Sequence, residues 1–306
     1  MIQTETSRLQ KVIPPTRGKV TLEAPLSRLT WFGVGGPADV LFRPADIDDL
    51  RSFLENLDQN ISVWPLGVGS NVIIRDSGIE GVVVLLRGPF TKIDVEENLI
   101  VAGGGALSAN IAIKAADTGL KGPEFLSGVP GSVGGAIRMN AGAYGTEVKD
   151  ILSWAEVITR TGTVKRISAA ELGFSYRNSN LQPDDIVVKA AFKGTKDNPN
   201  NIRARLQDFQ KQREASQPLR TRTGGSTFQN PAKNKAWELI DAAGCRGQRV
   251  GKAYVSDKHC NFIIAEEGAN ASDIETLGEA VRQKVKEQFG VILEWEIKRI
   301  GRGTAC

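Results

Sequence analysis

The sequence predicts an α+β fold in which strands and helices follow one another in irregular order. Short apolar segments typical of strands, such as ADVLFRP at 38–44, occur throughout the chain. Directly after that segment, Ile47, Leu50, Leu54 and Leu57 recur at helical spacing. The regular strand–helix alternation that predicts a parallel α/β sheet is absent. With 306 residues the chain is long enough for two or three domains with substantial cores.

The predicted elements follow from these patterns in chain order. Residues 1–20 are polar and are expected to form a loose arm. Strands are predicted within 38–44, 62–66, 71–76, 81–86, 98–103, 153–167 (a hairpin), 185–192, 262–266 and 292–300. Helices are predicted within 46–57, 108–118, 202–214 (amphipathic), 235–243 and 272–289. Ser108 and the pair Ser272 and Glu275 are expected to cap helix N-termini, and Gly119 is expected to end a helix.

Composition and charge argue against several classes of protein. The net charge of +4 is weak and the basic residues are spread out, so nucleic-acid binding is not expected. One histidine and three cysteines offer no ligand set at zinc-site spacing, and cysteines without a CxxC pair predict reduced thiols in the cytosol. The N-terminus lacks the apolar core of a signal peptide, and the longest apolar run, VVVLL at 82–86, is too short to span a membrane.

Glycine-rich turns dominate the first half of the chain, at 33–37, 67–71, 103–105 and 127–145. None carries a dinucleotide fingerprint, because GVGSNV at 67–72 lacks the third glycine and precedes a strand rather than a helix. A Walker A loop is equally unsupported, since GQRVGKA at 247–253 is one residue short and ends in alanine. Each turn alone is most simply a tight connection. Its bare N–H groups can also form an anion nest, and several such turns favour a large cofactor that carries phosphate.

Five motifs occur in order between about residues 25 and 301: PLGVGSNVIIRDSGIEGVVV, GPEFLSGVPGSVGGAIRMNAGAYG, FSYRNS, GGSTFQNP and LEWEIKRIG. Together they resemble the UDP-N-acetylenolpyruvoylglucosamine reductase family, the UDP-N-acetylmuramate dehydrogenases of bacterial peptidoglycan precursor synthesis. The resemblance implies non-covalent FAD, NADPH as hydride donor, UDP-N-acetylglucosamine enolpyruvate as substrate, a cytoplasmic location and a monomer. The short connection between Arg177 and the strand at 185–192 is similar to the family's shorter type, which lacks an extra substrate-capping loop.

The resemblance also implies a three-domain α+β flavoprotein. Its FAD-binding region has two parts and is similar to that of the vanillyl-alcohol-oxidase-like (PCMH-type) flavoproteins, and a third domain covers the substrate. The expected divisions are the arm at 1–20, a first FAD-binding part at 21–86 joined by the C-terminal strand at 292–306, a second part at 87–200, and a substrate-binding domain at 201–291.

The FAD-binding residues are carried over from two loops that flank the pyrophosphate in the family and from NAGAYG, which leads toward the flavin. Pyrophosphate would lie against backbone N–H groups there, and a side chain would hold it off. The expected residues are Leu66, Gly67, Val68, Gly69, Ser70, Asn71, Val129, Pro130, Gly131, Ser132, Gly134, Gly135, Asn140, Ala141, Gly142 and Ala143.

Three residues match the family's catalytic groups. Ser226, in GGSTFQNP, matches the proton donor; without the resemblance it is most simply a turn serine. Arg177, in FSYRNS, matches the arginine that faces the developing charge, although a surface arginine beside an aromatic is common. Glu296 matches the catalytic glutamate, and strand alternation alone places it with Glu294 on the solvent face. A perturbed pKa is expected for Glu296, because a carboxylate assists an enolate only when protonated or when it orients a donor.

Tyr176, Arg213 and Asn230 are expected substrate contacts, and Arg220 is a second basic residue near the same loop. His259 is expected to be structural, the cysteines non-catalytic, and no metal site is expected. Two rival functions stay open: an oxidase of the same fold with covalent flavin, and a nucleotide-sugar binder without catalysis. Covalent attachment usually needs a histidine or cysteine, and all of these lie outside the expected FAD region.

Overall fold

The computed structural model describes residues 12–303, which divide into two compact units. Within the described residues, unit 1 comprises 12–23, Asp39–Val68 and Gly81–Gln212. Unit 2 comprises Ala24–Ala38, Gly69–Glu80 and 213–303. Each unit therefore gathers segments that are far apart in the chain, and the expected domain boundaries stay a prediction.

The start of the chain was expected to be a loose arm over residues 1–20, of which 1–11 lie outside the described residues. Residues 16–18 are held in place by one carboxylate. Asp49 accepts hydrogen bonds from Thr16 Oγ1 at 2.8 Å, from the Arg17 N–H at 2.8 Å and from the Gly18 N–H at 3.0 Å. Burial by itself raises the pKa of Asp49, but these bonds and one from the Ala45 N–H outweigh it, so that the pKa lies below its usual value.

A four-stranded sheet with the order β1–β2–β5–β3 lies largely in unit 1. Its strands are β1 (Lys19–Pro25), β2 (Pro37–Arg43), β3 (Val63–Leu66) and β5 (Ile79–Leu85), with β3 and β5 parallel. Helix α1 (Ile47–Asn56) begins at the Asp46 N-cap, whose carboxylate accepts the Asp49 N–H at 2.9 Å. The helix buries Leu50, Phe53 and Leu54 in one cluster with the sheet, about 1.5–3 kcal/mol for each side chain.

A five-stranded antiparallel sheet with the order β12–β11–β13–β7–β6 forms the rest of unit 1. Its strands are β6 (Ile93–Glu96), β7 (Leu99–Gly103), β11 (Leu152–Ile158), β12 (Val164–Ser168) and β13 (Ile186–Lys193). Helix α2 (Ser108–Thr118) ends at Gly119, whose φ of 66° confirms the predicted stop. The prediction of Ser108 as N-cap is wrong. Leu107 holds the N-cap position, and Ser108 is a buried first helical residue whose Oγ bonds to no described residue.

Shorter elements complete unit 1. They are β8 (Leu120–Lys121), helix α3 (Val133–Arg138), β9 (Gly142–Ala143), β10 (Thr146–Glu147), helix α4 (Val148–Ile151), β14 (Thr195–Lys196) and most of helix α5 (Pro199–Ser216). The least exposed residues of α5 include Ile202, Leu206 and Phe209, which agrees with the predicted amphipathic helix. The hairpin β9–β10 pairs Gly142 with Glu147, and NAGAYG runs from the buried Asn140 through half-buried residues to the exposed Gly145.

Unit 2 is built around helix α7 (Ala271–Phe289) and two small sheets. The strands are β4 (Val72–Ile74) parallel to β18 (Lys298–Ile300), and β15 (Arg249–Val250), β16 (Ala253–Val255) and β17 (Ile263–Ala265) in antiparallel order. Helix α6 (Ala236–Ala242) packs on α7. The predicted buried face of α7 is confirmed by Ile274, Leu277, Val281 and Val285, each at most 1% exposed.

The predicted N-terminal capping box of α7 is wrong by two residues. Asn270 is the N-cap and accepts the Asp273 N–H at 2.7 Å, so Ser272 already lies inside the first turn. The Asp76 carboxylate fixes this start, because it accepts the Ala271 N–H at 2.9 Å and the Ser272 N–H at 3.1 Å. Together the two units confirm the α+β class. Within the part of the chain described, no helix is long and apolar enough to cross a membrane.

Candidate active site

Two of the loops expected to bind FAD meet in unit 1. Gly67 lies so close to Ser132 that a Cβ atom at Gly67 would collide with the serine hydroxyl. Among residues 12–303, no acceptor is found for the N–H groups of Gly67, Gly131 and Ser132. Ser132 is buried and Gly67 and Gly131 are half-buried, so their N–H groups are available to water or to a bound anion. The bare backbone therefore fits an anionic phosphate group better than a side chain would.

The loop 129–135 is fixed to the glycine turn at 103–105. The Ser108 N–H donates to the Gly131 carbonyl at 3.0 Å, and the Gly134 N–H donates to the Gly104 carbonyl at 2.8 Å. A Cβ atom at Gly104 would overlap the Val187 carbonyl. The turn at 103–105 is therefore glycine-rich because other backbone packs against it, and its role is to support the loop.

The remaining residues of the first loop, Gly69–Asn71, belong to unit 2. Gly69 has a φ of 64°, and a Cβ atom there would collide with the Leu29 carbonyl. Ser70 is buried. Asn71 is engaged with the C-terminal segment: its Nδ2 donates to the Glu296 carbonyl at 3.2 Å, and its own carbonyl accepts the Lys298 N–H at 3.1 Å. In this unit the loop thus holds the segment that carries Glu296.

The NAGAYG segment in unit 1 is held by side chains of its own. Asn140 is fully buried, and its amide is bonded to protein groups on both sides. The Tyr144 ring stacks on Phe209 of helix α5, with centroids 3.8 Å apart and planes 3° from parallel. What this segment offers to a cofactor is therefore its backbone and the small residues Ala141–Ala143, since the Asn140 side chain points into the protein.

Arg177 stands on a tight turn in unit 1. Ser175 and Asn178 exchange two backbone hydrogen bonds of 3.2 Å, which leaves Tyr176 and Arg177 as the two turn residues. Arg177 has a φ of 56°, in the left-handed region, and its guanidinium lies 4.9 Å from the centre of the Tyr176 ring. A half-buried guanidinium so placed can grip a carboxylate with two N–H groups.

Ser226 and Glu296 are brought to neighbouring segments of unit 2. The Glu296 N–H donates to the Thr227 carbonyl at 2.9 Å, and the Gln229 N–H donates to the Glu294 carbonyl at 2.8 Å. Ser226 itself pairs with Phe262 on its other side. Both Ser226 and Glu296 are half-buried, whereas Glu294 is exposed, as is expected for a residue that only faces solvent.

An ionic network anchors the segment beside Glu296. The Trp295 Nε1–H donates to Glu279 of helix α7 at 2.8 Å, and Arg299 binds the same Glu279 oxygen at 2.9 Å. The Arg299 guanidinium also lies 4.5 Å from the centre of the Trp295 ring. Glycine at 278 is required there, since a Cβ atom would collide with the indole. The network fixes Trp295 and with it the backbone on either side.

The expected substrate contacts have mixed surroundings. Tyr176 is 46% exposed, while Arg213 Nε donates to Gln217 Oε1 at 3.2 Å. Asn230 Oδ1 accepts the Ala236 N–H at 2.9 Å, so its carbonyl supports the start of helix α6. Arg220 has a left-handed φ of 60° and is exposed. The substrate roles of Tyr176, Arg213 and Asn230 stay predictions.

His259 and the cysteines have structural surroundings. His259 Nδ1 accepts the Asn261 N–H at 3.3 Å, and its ring meets Phe262 edge-on with centroids 4.8 Å apart. Burial lowers the pKa of His259 and raises the pKa of the Cys245 and Cys260 thiols. Cys306 lies outside the described residues. Among residues 12–303, no cluster of His, Cys, Asp or Glu is arranged to hold a metal ion.

Sequence reasoning missed Asn261 and Glu279, which hold the site in place, and gave Asn71 a cofactor role only. Asn261 brackets Phe228, donating to its carbonyl at 2.8 Å and accepting its N–H at 3.0 Å, and so fixes the chain just after Ser226. Asn71 and Glu279 do the same for the Glu296 segment. No local pattern distinguishes these residues from ordinary polar residues, because each acts through a contact distant in the chain.

Comparison with known families divides the chain in a consistent way. Residues 38–168 match the model of the FAD binding domain, and residues 217–300 match that of the UDP-N-acetylenolpyruvoylglucosamine reductase C-terminal domain. The loops around Gly67 and Gly131 fall within the first match. Ser226 and Glu296 fall within the second.

Curated relatives and a solved structure extend the comparison to nearly the whole chain. The UDP-N-acetylenolpyruvoylglucosamine reductase of Gluconobacter oxydans (strain 621H) is 53% identical over 286 residues, 94% of each chain. That of Acidiphilium cryptum (strain JF-5) is 53% identical over 296 residues, 96% of each chain. The crystal structure of the Thermus caldophilus UDP-N-acetylenolpyruvylglucosamine reductase superposes with a TM-score of 0.80 at 33% identity, covering 93% of this chain and 99% of that one.

Proposed function

The chain belongs to the UDP-N-acetylenolpyruvoylglucosamine reductase family and is an oxidoreductase with an FAD-binding domain, and from this premise we propose which reaction it catalyses. It reduces the enolpyruvyl vinyl ether of UDP-N-acetylglucosamine enolpyruvate to the lactyl ether of UDP-N-acetylmuramate. NADPH is the reductant, and the reaction serves peptidoglycan precursor synthesis. The observation that supports the proposal is the hydrogen-bonded pairing, in unit 2, of residues 227–229, which directly follow Ser226, with residues 294–296, which include Glu296.

Within unit 1, the N–H groups of Gly67, Gly131 and Ser132 would hold the FAD pyrophosphate, together with Leu66, Val68, Val129 and Pro130 around them. The group held there would supply hydride transfer between NADPH and the terminal vinyl carbon of the substrate. We expect the binding to be non-covalent. The residues that usually tether flavin are absent from the FAD-binding region, since His259, Cys245, Cys260 and Cys306 all follow residue 168.

Protein groups handle the charge and the proton of this reduction. As the hydride adds to the terminal vinyl carbon, the electron pair of the double bond moves to the neighbouring carbon and its carboxylate. Arg177 would stabilise that enolate with its permanent charge and paired N–H groups. Ser226 would donate the proton that the neighbouring carbon takes up. Glu296 would support Ser226 by orienting it or supplying a proton in turn.

The proton donor is tested by separating the two half-reactions of Ser226→Ala. Stopped-flow absorbance should show reduction by NADPH at the wild-type rate and reoxidation by the enolpyruvyl substrate slowed about 10²- to 10⁴-fold. Thr223→Val is a matched control, because this neighbouring buried hydroxyl bonds to no group among the described residues. Fast reoxidation in Ser226→Ala would remove the serine from the mechanism.

Two further measurements distinguish the rival functions. Acid denaturation should release the flavin into solution, and flavin that stays with the protein would indicate a covalent oxidase. A catalyst should be yellow, bleach with NADPH and recover its colour with the enolpyruvyl substrate. A nucleotide-sugar binder without catalysis would be colourless or would not recover. We expect a cytoplasmic monomer that binds neither nucleic acid nor membrane.

A further inference from the structure

The Asn140 side chain occupies the junction between the NAGAYG hairpin and the Arg177 turn. It is 0% exposed, and its two polar atoms make three hydrogen bonds of 3.0 Å. The Lys149 N–H can only donate, so the atom that faces it is Oδ1. Nδ2 therefore faces the Ser175 carbonyl and Glu147 Oε2. A carbonyl can only accept a hydrogen bond, and so can an ionised carboxylate.

The Ser175 carbonyl is the base of the turn that carries Arg177. It accepts the Asn178 N–H at 3.2 Å, which closes the turn, and Asn140 Nδ2 at 3.0 Å, which fastens the turn to the hairpin. Arg177 adopts a left-handed φ of 56°, a conformation that non-glycine residues hold only where the surroundings enforce it. The bond from Asn140 is part of that enforcement.

The hairpin that Asn140 belongs to also lies against the guanidinium of Arg177. A Cβ atom at Gly142 would be 3.5 Å from Arg177 Nη1, an ordinary contact distance, so the arginine lies over the bare backbone of this glycine. Glu147 pairs with Gly142 across the hairpin. Its carboxylate accepts the other hydrogen bond from Asn140 Nδ2 and forms an ion pair with Lys149 at 2.7 Å. The hairpin thus contacts both the backbone of the turn that carries Arg177 and the guanidinium of Arg177.

We propose that Asn140 is a positioning residue for Arg177: its buried amide fastens the 175–178 turn to the NAGAYG hairpin and so sets where the guanidinium meets the substrate carboxylate. The inference rests on the proposed function, which gives Arg177 its role. It assigns Asn140 to substrate reduction through Arg177 and away from direct contact with FAD. Replacing the Nδ2 donor should therefore affect reoxidation by substrate and leave reduction by NADPH nearly unchanged.

The experiment is a double-mutant cycle on the holoenzyme. Asn140→Asp keeps the shape and the acceptor for Lys149, but turns an acceptor toward the Ser175 carbonyl and Glu147. Reoxidation by the enolpyruvyl substrate should slow about 10- to 100-fold, since a small misplacement of a catalytic group costs that much, with reduction by NADPH within about twofold of wild type. In an Arg177→Ala background the same change should have almost no further effect on reoxidation.

A second variant and a control keep the test decisive. Asn140→Ser removes both donors without adding charge and replaces Asn140→Asp if the latter does not fold. Ser179→Ala removes another bond of the same segment, from Ser179 Oγ to the Arg138 carbonyl at 2.9 Å, and should leave reoxidation near wild type. Hydrogen exchange should quicken at the Asn178 amide in the Asn140 variants and stay unchanged in β12.

The outcomes separate the inference from the proposed function. If Arg177→Ala reoxidises at the wild-type rate, the role proposed for Arg177 is wrong and the inference falls with it. If Arg177→Ala is slow but the Asn140 variants are fast, or if the two effects multiply in the double variant, only the positioning role is overturned. An equal loss of both half-reactions in Asn140→Ser would likewise assign Asn140 to cofactor binding instead.

Discussion

The Arg177 turn in unit 1 and the Ser226–Glu296 pair in unit 2 hold their functional side chains by different means. Arg177 stands on two turn residues in a strained conformation, and the buried Asn140 amide fastens that turn. Glu296 lies on a segment bonded to Thr227 through its N–H and to Asn71 through its carbonyl. Trp295 and Glu279 add a third anchor beside it.

The comparison indicates how strongly the surrounding hydrogen bonds restrain Glu296 and Arg177 against displacement. Ladder hydrogen bonds on two sides of a segment share the restraint, so the loss of one should move the segment little. The base of the 175–178 turn is tied to the hairpin through the Asn140 amide, so we expect the loss of that one donor to displace the turn. We therefore expect changes around Glu296 to show in stability before rate, and changes around Arg177 to show in rate first.

The largest effect on the rate of reoxidation is expected when the Glu296 carboxylate itself is replaced. Glu296→Gln should slow reoxidation by the enolpyruvyl substrate about 10²- to 10⁴-fold, because it removes the carboxylate that we propose supports the proton transfer. Glu294→Gln, two residues away and exposed, is the control and should match wild type. Both are measured by single-turnover absorbance. Unchanged reoxidation in Glu296→Gln would show that the many anchors of this segment serve stability alone.

A loop substitution tests the FAD side of unit 1. Gly67→Val should weaken FAD binding about 10- to 100-fold while the protein stays folded, because the new side chain would collide with Ser132 and cover the N–H groups proposed to hold the pyrophosphate. Ile113→Ala, at an exposed position of helix α2 outside the expected FAD-binding residues, is the control and should bind FAD like wild type. Flavin fluorescence titration of the apoprotein gives the two dissociation constants. A fully yellow Gly67→Val protein would make this loop only a turn.

Removal of one anchor tests the redundancy around Glu296 directly. Trp295→Phe loses the bond to Glu279, which should cost about 1 kcal/mol of unfolding free energy. Reoxidation should slow no more than about threefold, since the backbone bonds to Thr227 and Asn71 remain, in contrast with Asn140→Asp. Trp237→Phe is the exposed control. A rate loss in Trp295→Phe as large as in Asn140→Asp would remove the contrast between the two regions.

The smallest effect concerns the pH dependence of unit 2. Burial lowers the pKa of His259 below its usual 6.5, so the unfolded chain binds a proton more readily than the folded one. The stability that the neutral imidazole contributes is therefore complete above pH 6.5 and is lost as the pH falls through the lowered pKa. Because His259 is the only histidine, urea unfolding of wild type and His259→Gln from pH 7.5 to 5.5 isolates it. Parallel pH curves for the two proteins would contradict this assignment.

Local patterns in the sequence predicted the features that depend on local physics. The apolar spacing of α7 identified Ile274, Leu277, Val281 and Val285 as its buried face, because a helix repeats its faces every few residues. Gly119 was recognisable as a helix end for a similar reason. The α+β class and the positions of the glycine-rich turns were also predictable from local sequence patterns.

Features that depend on distant contacts could not be predicted from local patterns. Asn270 and Ser272 are both good N-caps, and the choice between them is fixed by Asp76, which is 195 residues from Ala271 in the chain. Asn140 looked like part of a cofactor loop, but Ser175, 35 residues away, receives its amide. Only the family resemblance separated Glu296 from Glu294, since strand alternation treats them alike.

The parallel pairing of β4 with β18 has a consequence for synthesis of the chain. Residues 72–74 find their partner strand only at 298–300, so β4 stays without its partner until those residues have been synthesised. Contacts so distant in sequence also form slowly, because a long loop must close first. A chain that stops before residue 298 would leave β4 without this partner, as an unpaired strand, so β18 is the element that completes this sheet of unit 2.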